Sequence, residues 1–482
     1  MTATSPATSA PPAPGQGAAP RRGFGPLLLR LHFYAGLVVA PFVLLAALTG
    51  LAYAFTPQIE RVVHAEQLVV APGDAPRALS EQVAAARAAH PEGSLAAVRP
   101  GSGDTTTQVD FTAPGLDDEH KHTVYVNQYT ATVTGQLTTW WAATPVRTWF
   151  DDMHTNLNLG PIGLYYSEFA ASWLWVVALG GVALWWRRQR GRRSARTLLA
   201  PDLAAKKGVR RTRSWHASLG LWLSVGLLFL SATGLTWSEY AGANFGKLVD
   251  GLHGSRPAVS TALAAPAAAP AAGEHAEHGG GAPAVSPAVD PAVIDKVLQT
   301  ATANGIGGRL TVTPPAEAGA AWTVTEEDAR WPVGRDSIAV DGTTGEISDR
   351  IDFADWPVLA KLTQWGIYAH MGDLFGLANQ LVLAALALGL ITVIVWGYRM
   401  WWQRRPTRAD RRALAGAPPA RGAWQQLPSW GIVLGVPVVF AIGWFMPLFG
   451  VPLAGFLLID VLVGALRRRR RPVPVSPAPA GS

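Results

Sequence analysis

Trp215-His216-Ala217-Ser218-Leu219-Gly220 is the phrase on which the fold turns: a histidine set where a basic loop becomes an apolar run ending in Thr233-Gly234. The phrase stands earlier as Leu31-His32-Phe33-Tyr34-Ala35-Gly36, running on to Thr49-Gly50. In both copies a glycine follows the histidine by 4 positions, and Thr-Gly follows by 17 and 18. A second pair of phrases begins at His154 and His370. Each has a glycine 27 residues on (Gly181, Gly397) and Trp-Trp 31 and 32 residues on (Trp185-Trp186, Trp401-Trp402). His32 and His216 are 184 apart, His154 and His370 216 apart. The excess, 216 − 184 = 32, matches an Ala- and Pro-rich insertion at 255–286 that the first half lacks. Val126-Asn127 and Val340-Asp341 align at an offset of 214. The chain reads as two copies of one unit.

With 49% hydrophobic residues, 15% charged residues and 20 Trp in 482, the composition is that of a membrane protein, since Trp collects at membrane interfaces. The formal charge of +7 does not indicate nucleic-acid binding. Its basic residues sit in short clusters at the ends of apolar runs: Arg21-Arg22, Arg187 to Arg193, Arg210 to Arg213, Arg404 to Arg412 and Arg467 to Arg471. Such clusters are topology signals. The absence of Cys excludes disulfides, Cys-ligated iron–sulfur clusters and thioether-attached haem. No Gly-x-Gly-x-x-Gly follows a strand and no Walker motif is present, so nucleotide and flavin binding have no support.

Residues 1–20 are expected to be disordered. Apolar runs at 26–56, 165–186, 215–238 and 376–402 are expected to span, the first uncleaved and bent near Pro41. Their segments are 21–56, 154–187, 214–240 and 370–403, with preceding interfacial stretches in the second and fourth. A hairpin at 429–466, broken at Pro447-Leu448-Phe449-Gly450, adds two more spans, and a basic, Pro-rich tail follows at 467–482. The basic joints, 188–213 and 404–428, and both termini fall on the cytoplasmic side by positive-inside logic. The long polar segments, 57–153 and 241–369, then face outward. Each carries a strand–turn–strand signal, at Thr123 to Val126 and at Ser337 to Ile347. Two units that both enter from the cytoplasm are parallel repeats. The expected class is an α-helical integral membrane bundle, with four core spans as two parallel repeats, a C-terminal hairpin and two extracytoplasmic α+β modules.

One histidine at a helix start is commonly a capping or snorkelling residue. Four at duplicated positions point to ligation, because polar groups in spans face the bundle interior and mark function. Gly50 lies 18 residues after His32, five turns at about 3.6 residues per turn, hence on one face. That stripe suits a porphyrin, although such glycines also serve close helix packing. A hydrocarbon core about 30 Å thick separates the two levels. Pairing is therefore His32 with His216 for a cytoplasmic-side haem, and His154 with His370 for an external one. Gly50 and Gly234 then fall by the external pair, Gly181 and Gly397 by the cytoplasmic pair. Two b haems, each with two imidazoles, favour electron transfer over oxygen binding.

His275 and His278, in Gly273-Glu274-His275-Ala276-Glu277-His278-Gly279, are secondary candidates for transition-metal capture. His64, His90, His120, His122 and His253 read as solvated loop residues, and Glu168 as an interfacial acid. Arg30, Arg147 and Arg213 are candidate partners for haem propionates, with positive-inside placement already accounting for Arg30 and Arg213.

The phrases Leu31-His32 with Leu48-Thr49-Gly50, Met153-His154-Thr155-Asn156-Leu157-Asn158-Leu159-Gly160, Trp215-His216 with Thr233-Gly234, and Ala369-His370-Met371-Gly372 resemble those of the PepSY-associated transmembrane proteins. Val126-Asn127 to Gly135 and Val340-Asp341 to Gly345-Glu346 look like the strand–turn–strand of PepSY modules. The resemblance covers roughly residues 22–405 and leaves the hairpin as an accessory. It implies an inner-membrane protein of Gram-negative bacteria that binds two haem b through the four histidines. Such a protein would reduce a ferric siderophore or other ferric chelate at the periplasmic face, taking electrons from a cytoplasmic or quinol donor. It carries over no substrate site. Two other readings stand beside this one: a non-redox PepSY binding or regulatory protein, and a metal or siderophore permease.

Overall fold

A computed structural model of the chain describes residues 23–190, 199–263, 290, 292–404, 419 and 427–469. The first apolar run forms two helices, α1 (Gly25–Val38) and α2 (Ala40–Tyr53), bent by 56° at their junction. The cause is Pro41, which cannot donate to the carbonyl four residues back, that of Leu37. The freed carbonyl accepts instead from the hydroxyl of Tyr398, at 2.9 Å. Without such a donor, a bare carbonyl in hydrocarbon would cost several kcal/mol.

Short helices α3 (Thr56–Val63) and α4 (Ala65–Leu68) lead to α5 (Leu79–Ala89) and strands β1 (Leu95–Arg99), β2 (Thr107–Phe111), β3 (His120–Asn127) and β4 (Thr132–Trp140). Helix α6 (Pro145–Thr155) starts on a Thr144 cap and returns the chain to α7 (Pro161–Gln189). The second half repeats the order. Helices α8 (Gly208–Leu235), α9 (Glu239–Gly251) and α10 (Ala292–Ala303) precede β5 (Leu310–Thr313), β6 (Trp322–Glu326), β7 (Ser337–Val340) and β8 (Ile347–Ile351). Then come α11 (Val358–Met371) and α12 (Leu377–Gln403), and the hairpin α13 (Ser429–Phe445) and α14 (Pro447–Arg469).

Among the described residues α7, α8 and α12 are long and apolar enough to cross a membrane, and the bent α1–α2 pair makes a fourth span if taken as one. The hairpin's apolar helices are shorter. It nonetheless packs into the bundle. Trp173 Nε1 on α7 donates to Leu448 O at 3.1 Å, and Asn244 Nδ2 to Phe445 O at 3.0 Å, so the turn's carbonyls are satisfied. Arg30, read above as a topology signal, is instead 3% exposed and ion-paired with Asp460 of α14. Glu168 is likewise no loose interfacial acid. It is buried, and its carboxylate accepts from Tyr240 N and Ala241 N, capping the start of α9.

The polar segments do not form two separate sheets. They merge into one antiparallel eight-stranded sheet, ordered β4-β3-β2-β1-β5-β6-β7-β8 and joined at Val98↔Val312. Helices α5 and α10 pack with it over a single core of Val98, Val109, Phe111, Ile294, Val312, Val324 and Ile338, and Asp295 Oδ1 accepts from Ser80 N at 3.1 Å between the two helices. Both expected strand–turn–strand units are present, as β3–β4 and β7–β8. In the second turn Gly345, at φ +82°, donates from its N–H to Asp341 O at 2.7 Å. Such a positive φ costs glycine no Cβ strain.

Candidate functional site

The four histidines meet in two pairs. His32 on α1 and His216 on α8 have ring centroids 6.4 Å apart, His154 on α6 and His370 on α11 6.5 Å apart. Two metal–nitrogen bonds of about 2 Å each, plus the ring radii, would put imidazoles on opposite sides of one metal with centroids roughly 6 Å apart. The histidines that topology paired thus stand ring to ring. The His154–His370 pair lies on the side of the bundle that carries the sheet, because α6 continues directly from β4.

Hydrogen bonds define the tautomer. His32 Nδ1 lies 3.1 Å from Val177 O and His216 Nδ1 2.9 Å from Val393 O. A carbonyl only accepts, so each Nδ1 carries its proton. His154 Nδ1 is 3.0 Å from Thr49 Oγ1, and His370 Nδ1 is 2.7 Å from Thr233 Oγ1. Those hydroxyls already donate, to Leu45 O at 2.9 Å and to Phe229 O at 2.8 Å, so they accept from the imidazole. His32 and His216 therefore carry an unprotonated Nε2, the form that binds metal, and the threonine contacts allow the same tautomer at His154 and His370. Among the described residues none hydrogen-bonds to these Nε2 atoms. The donor set thus fits b-type haem iron held by two imidazoles. No cluster of three or more His, Cys, Asp or Glu that could hold a bare ion occurs among the described residues.

The matched glycines fall where expected. A Cβ on Gly50 would stand 3.0 Å from His154 Cε1, and one on Gly181 3.2 Å from His32 Cε1. Gly234 and Gly397 are looser, at 3.5 Å from His370 Cε1 and 3.8 Å from His216 Cε1. At Gly50 and Gly181 the missing Cβ makes room for the imidazole edge. The threonines preceding Gly50 and Gly234 orient the rings, a role carried by the repeated Thr-Gly phrase. Val177 and Val393 act through backbone carbonyls and leave no mark in the sequence.

Around the sheet-side pair the first half is charged. Tyr53 stacks on His154, with centroids 6.5 Å apart and planes 23° apart. Arg147 lies 5.9 Å from the Tyr53 ring and places Nη2 3.5 Å from Asp373 Oδ2 in the second half. Arg147 is thus already paired to a carboxylate. Burial, helped by Asp152 and opposed by Arg147, pushes the Asp151 carboxyl up to about 6.

Of the other histidines, His253 is an exposed turn residue as expected, whereas the other described ones are built into secondary structure or its ends. His120 and His122 lie on β3, and His90 stacks on His122 at 4.1 Å. His64 closes α3. His253, at φ +53°, follows α9 and donates from its backbone N–H to Asp250 O. His275 and His278 lie outside the described residues.

No curated protein matches the chain. Residues 29–404 match the family described as PepSY-associated TM region. With most of its length so matched, and a bundle of apolar helices beneath a sheet, the protein belongs to the PepSY-associated TM family.

Proposed function

We propose that the protein is a di-haem transmembrane electron carrier that reduces a ferric chelate, such as a ferric siderophore, at the face bearing the sheet. The observation that supports this reading is that the four rings stand in two close pairs, each Nδ1 hydrogen-bonded to a carbonyl or a hydroxyl of the bundle. When bound, each haem would supply a one-electron Fe(III)/Fe(II) couple suited to electron transfer. His32 and His216 would hold one and His154 and His370 the other. Val177, Val393, Thr49 and Thr233 fix ring orientation and raise ligand basicity. The apolar bundle excludes water, and Arg147 and Tyr53 set the polarity on one side of the sheet-side pair. Iron reduced from Fe(III) to Fe(II) is held less tightly by hard oxygen donors, so it leaves the chelate. The basic joints and sheet placement favour a bacterial inner membrane with cytoplasmic termini and an extracytoplasmic sheet. The donor is a cytoplasmic protein or a quinol.

Haem quantitation on the purified wild type and four single-histidine variants tests this. The expected result is two haems per chain and a Soret band that shifts on dithionite. His154→Ala should remove one haem and leave the other spectrally intact. A colourless wild type, or loss of both haems together, overturns the reading, and a colourless protein favours a regulatory docking role.

A further inference from the structure

The connection between β6 and β7 closes on Asp328 and Gly334, each backbone N–H donating to the other's carbonyl, at 3.1 and 3.0 Å. Its tip is Ala329-Arg330-Trp331-Pro332-Val333. Strands β3 and β7 align at an offset of 214, as Val126 with Val340, so Trp331, Pro332 and Val333 stand where the first half has Asp117, Asp118 and Glu119. The two tips have opposite chemistry. The first half uses its carboxylates within its own loop: Asp117 pairs with His120, and Glu119 accepts from Trp140 Nε1 at 2.9 Å. In the second half Arg330, Trp331 and Pro332 are all exposed, the indole by 56%.

Position gives the exposed indole a meaning. Trp331 N donates to Leu374 O at 2.8 Å, three residues before α12 begins at Leu377. Helix α12 is long and apolar enough to span, so this bond holds the tip of a sheet hairpin at the level where a span enters the bilayer. The neighbouring surface is apolar and exposed as well. It includes Phe375 and Leu377 on either side of Gly376, and Val358 and Leu362 one turn apart on α11. Arg330 lies close by, its Nε 3.6 Å from where a Cβ on Gly376 would stand. The Trp331 ring packs edge-on against Trp365 of α11, with centroids 5.4 Å apart, so the indole is set against the bundle and not against the sheet. Tryptophan collects at the headgroup level, and an arginine there lays its stem on apolar surface and its guanidinium against phosphate.

We infer that the β6–β7 tip is a membrane anchor, seating the sheet on the adjacent phospholipid leaflet through its second half while the acidic tip of the first half stays in water. The occupant is lipid because the exposed surface around Trp331 runs without a break into α12, whose outward apolar residues the bilayer must cover. Charge agrees. Residues 329–333 carry one cation and no anion, which suits phosphate, whereas three carboxylates at the same level would be repelled and desolvated. The anchor stands whether or not the histidines hold haem.

The chain has no Cys, so nitroxide labels can be placed one at a time. Trp331→Cys, Phe375→Cys, Asp117→Cys and Glu346→Cys are labelled in the full chain, in nanodiscs of phosphatidylcholine and phosphatidylglycerol. Each label is read by its collisions with oxygen, which concentrates in lipid, and with a water-soluble nickel chelate. Glu346, beside the turn at the far end of β7, sets the water value, and Phe375, at the start of the span, sets the lipid value. The oxygen-to-nickel ratio at 331 is expected to exceed that at 346 roughly threefold or more and to approach that at 375, while 117 matches 346. A ratio at 331 equal to that at 346 overturns the inference, as does a ratio at 117 as high as that at 331. Shielding of 331 from both probes, with spin–spin broadening, is the mark of a second copy on this surface and overturns it equally.

Discussion

At the scale of single residues, the four imidazoles are held by two kinds of partner, and the glycines beside them are held to different tolerances. A Cβ on Gly50 meets His154 Cε1 at 3.0 Å, whereas one on Gly397 stands 3.8 Å from His216 Cε1, an ordinary contact. Gly50→Ala is therefore expected to displace His154 and lower retention of the sheet-side haem about tenfold, the low end for disturbing a ligand's support. Gly397→Ala should be silent; equal haem content in both variants would contradict this geometry. Asp151 gives a pH-dependent prediction. Its carboxyl is raised by burial to about 6 from 3.8. A raised acid contributes stability that is present below the unfolded value and lost as pH rises through the folded one. Asp151→Asn should thus raise the thermal midpoint at pH 7.5 by the equivalent of about 3 kcal/mol, and leave it nearly unchanged at pH 4. A midpoint shift of equal size at both pH values would dismiss the effect. The histidines and glycines were legible because the repeat copied them at fixed spacing. The tautomers were not, since two of the four Nδ1 acceptors are backbone carbonyls that any residue supplies.

At the scale of elements, the hairpin is a buttress for α1. Arg30, one turn from the start of α1 and two residues before His32, is buried against Asp460. Removing one partner of a buried pair strands the other charge at a cost of about 3–5 kcal/mol, whereas replacing both by apolar groups is often neutral. Asp460→Ala is expected to lower the midpoint sharply and release the His32–His216 haem first. Arg30→Met with Asp460→Leu should restore it. Failure of the double change to rescue would mean the hairpin holds α1 by other contacts. The sequence marked these helices as apolar but gave no reason to join them to the core, because a single Asp in a final span has no readable partner until the fold is known. The sheet was half legible in the same sense. Alternation in Thr123 to Val126 and the Asp341 to Gly345 turn reveal local hairpins, while the Val98↔Val312 join links residues more than 200 positions apart.

At the scale of the whole molecule, neither half is complete. Each histidine pair takes one ring from residues before 208 and one from residues after it. Fragments 1–207 and 208–482 expressed alone are expected to bind no haem, and together to recover about two per complex. A single fragment that keeps one haem would refute the shared-pair architecture. The low-complexity insertion that offsets the two halves also explains why the duplication shows as two spacings, 184 and 216, instead of one.

The bond from Tyr398 to the carbonyl left open by Pro41 has a mechanical consequence. It ties the kink of one repeat to a fixed depth on the last core helix of the other, so axial slippage between repeats would expose a bare oxygen to lipid. Bilayers of different thickness are accommodated by tilting the whole bundle, not by telescoping its halves. The vertical spacing between the two imidazole levels is then a constant of the protein, insulated from the composition of the membrane around it.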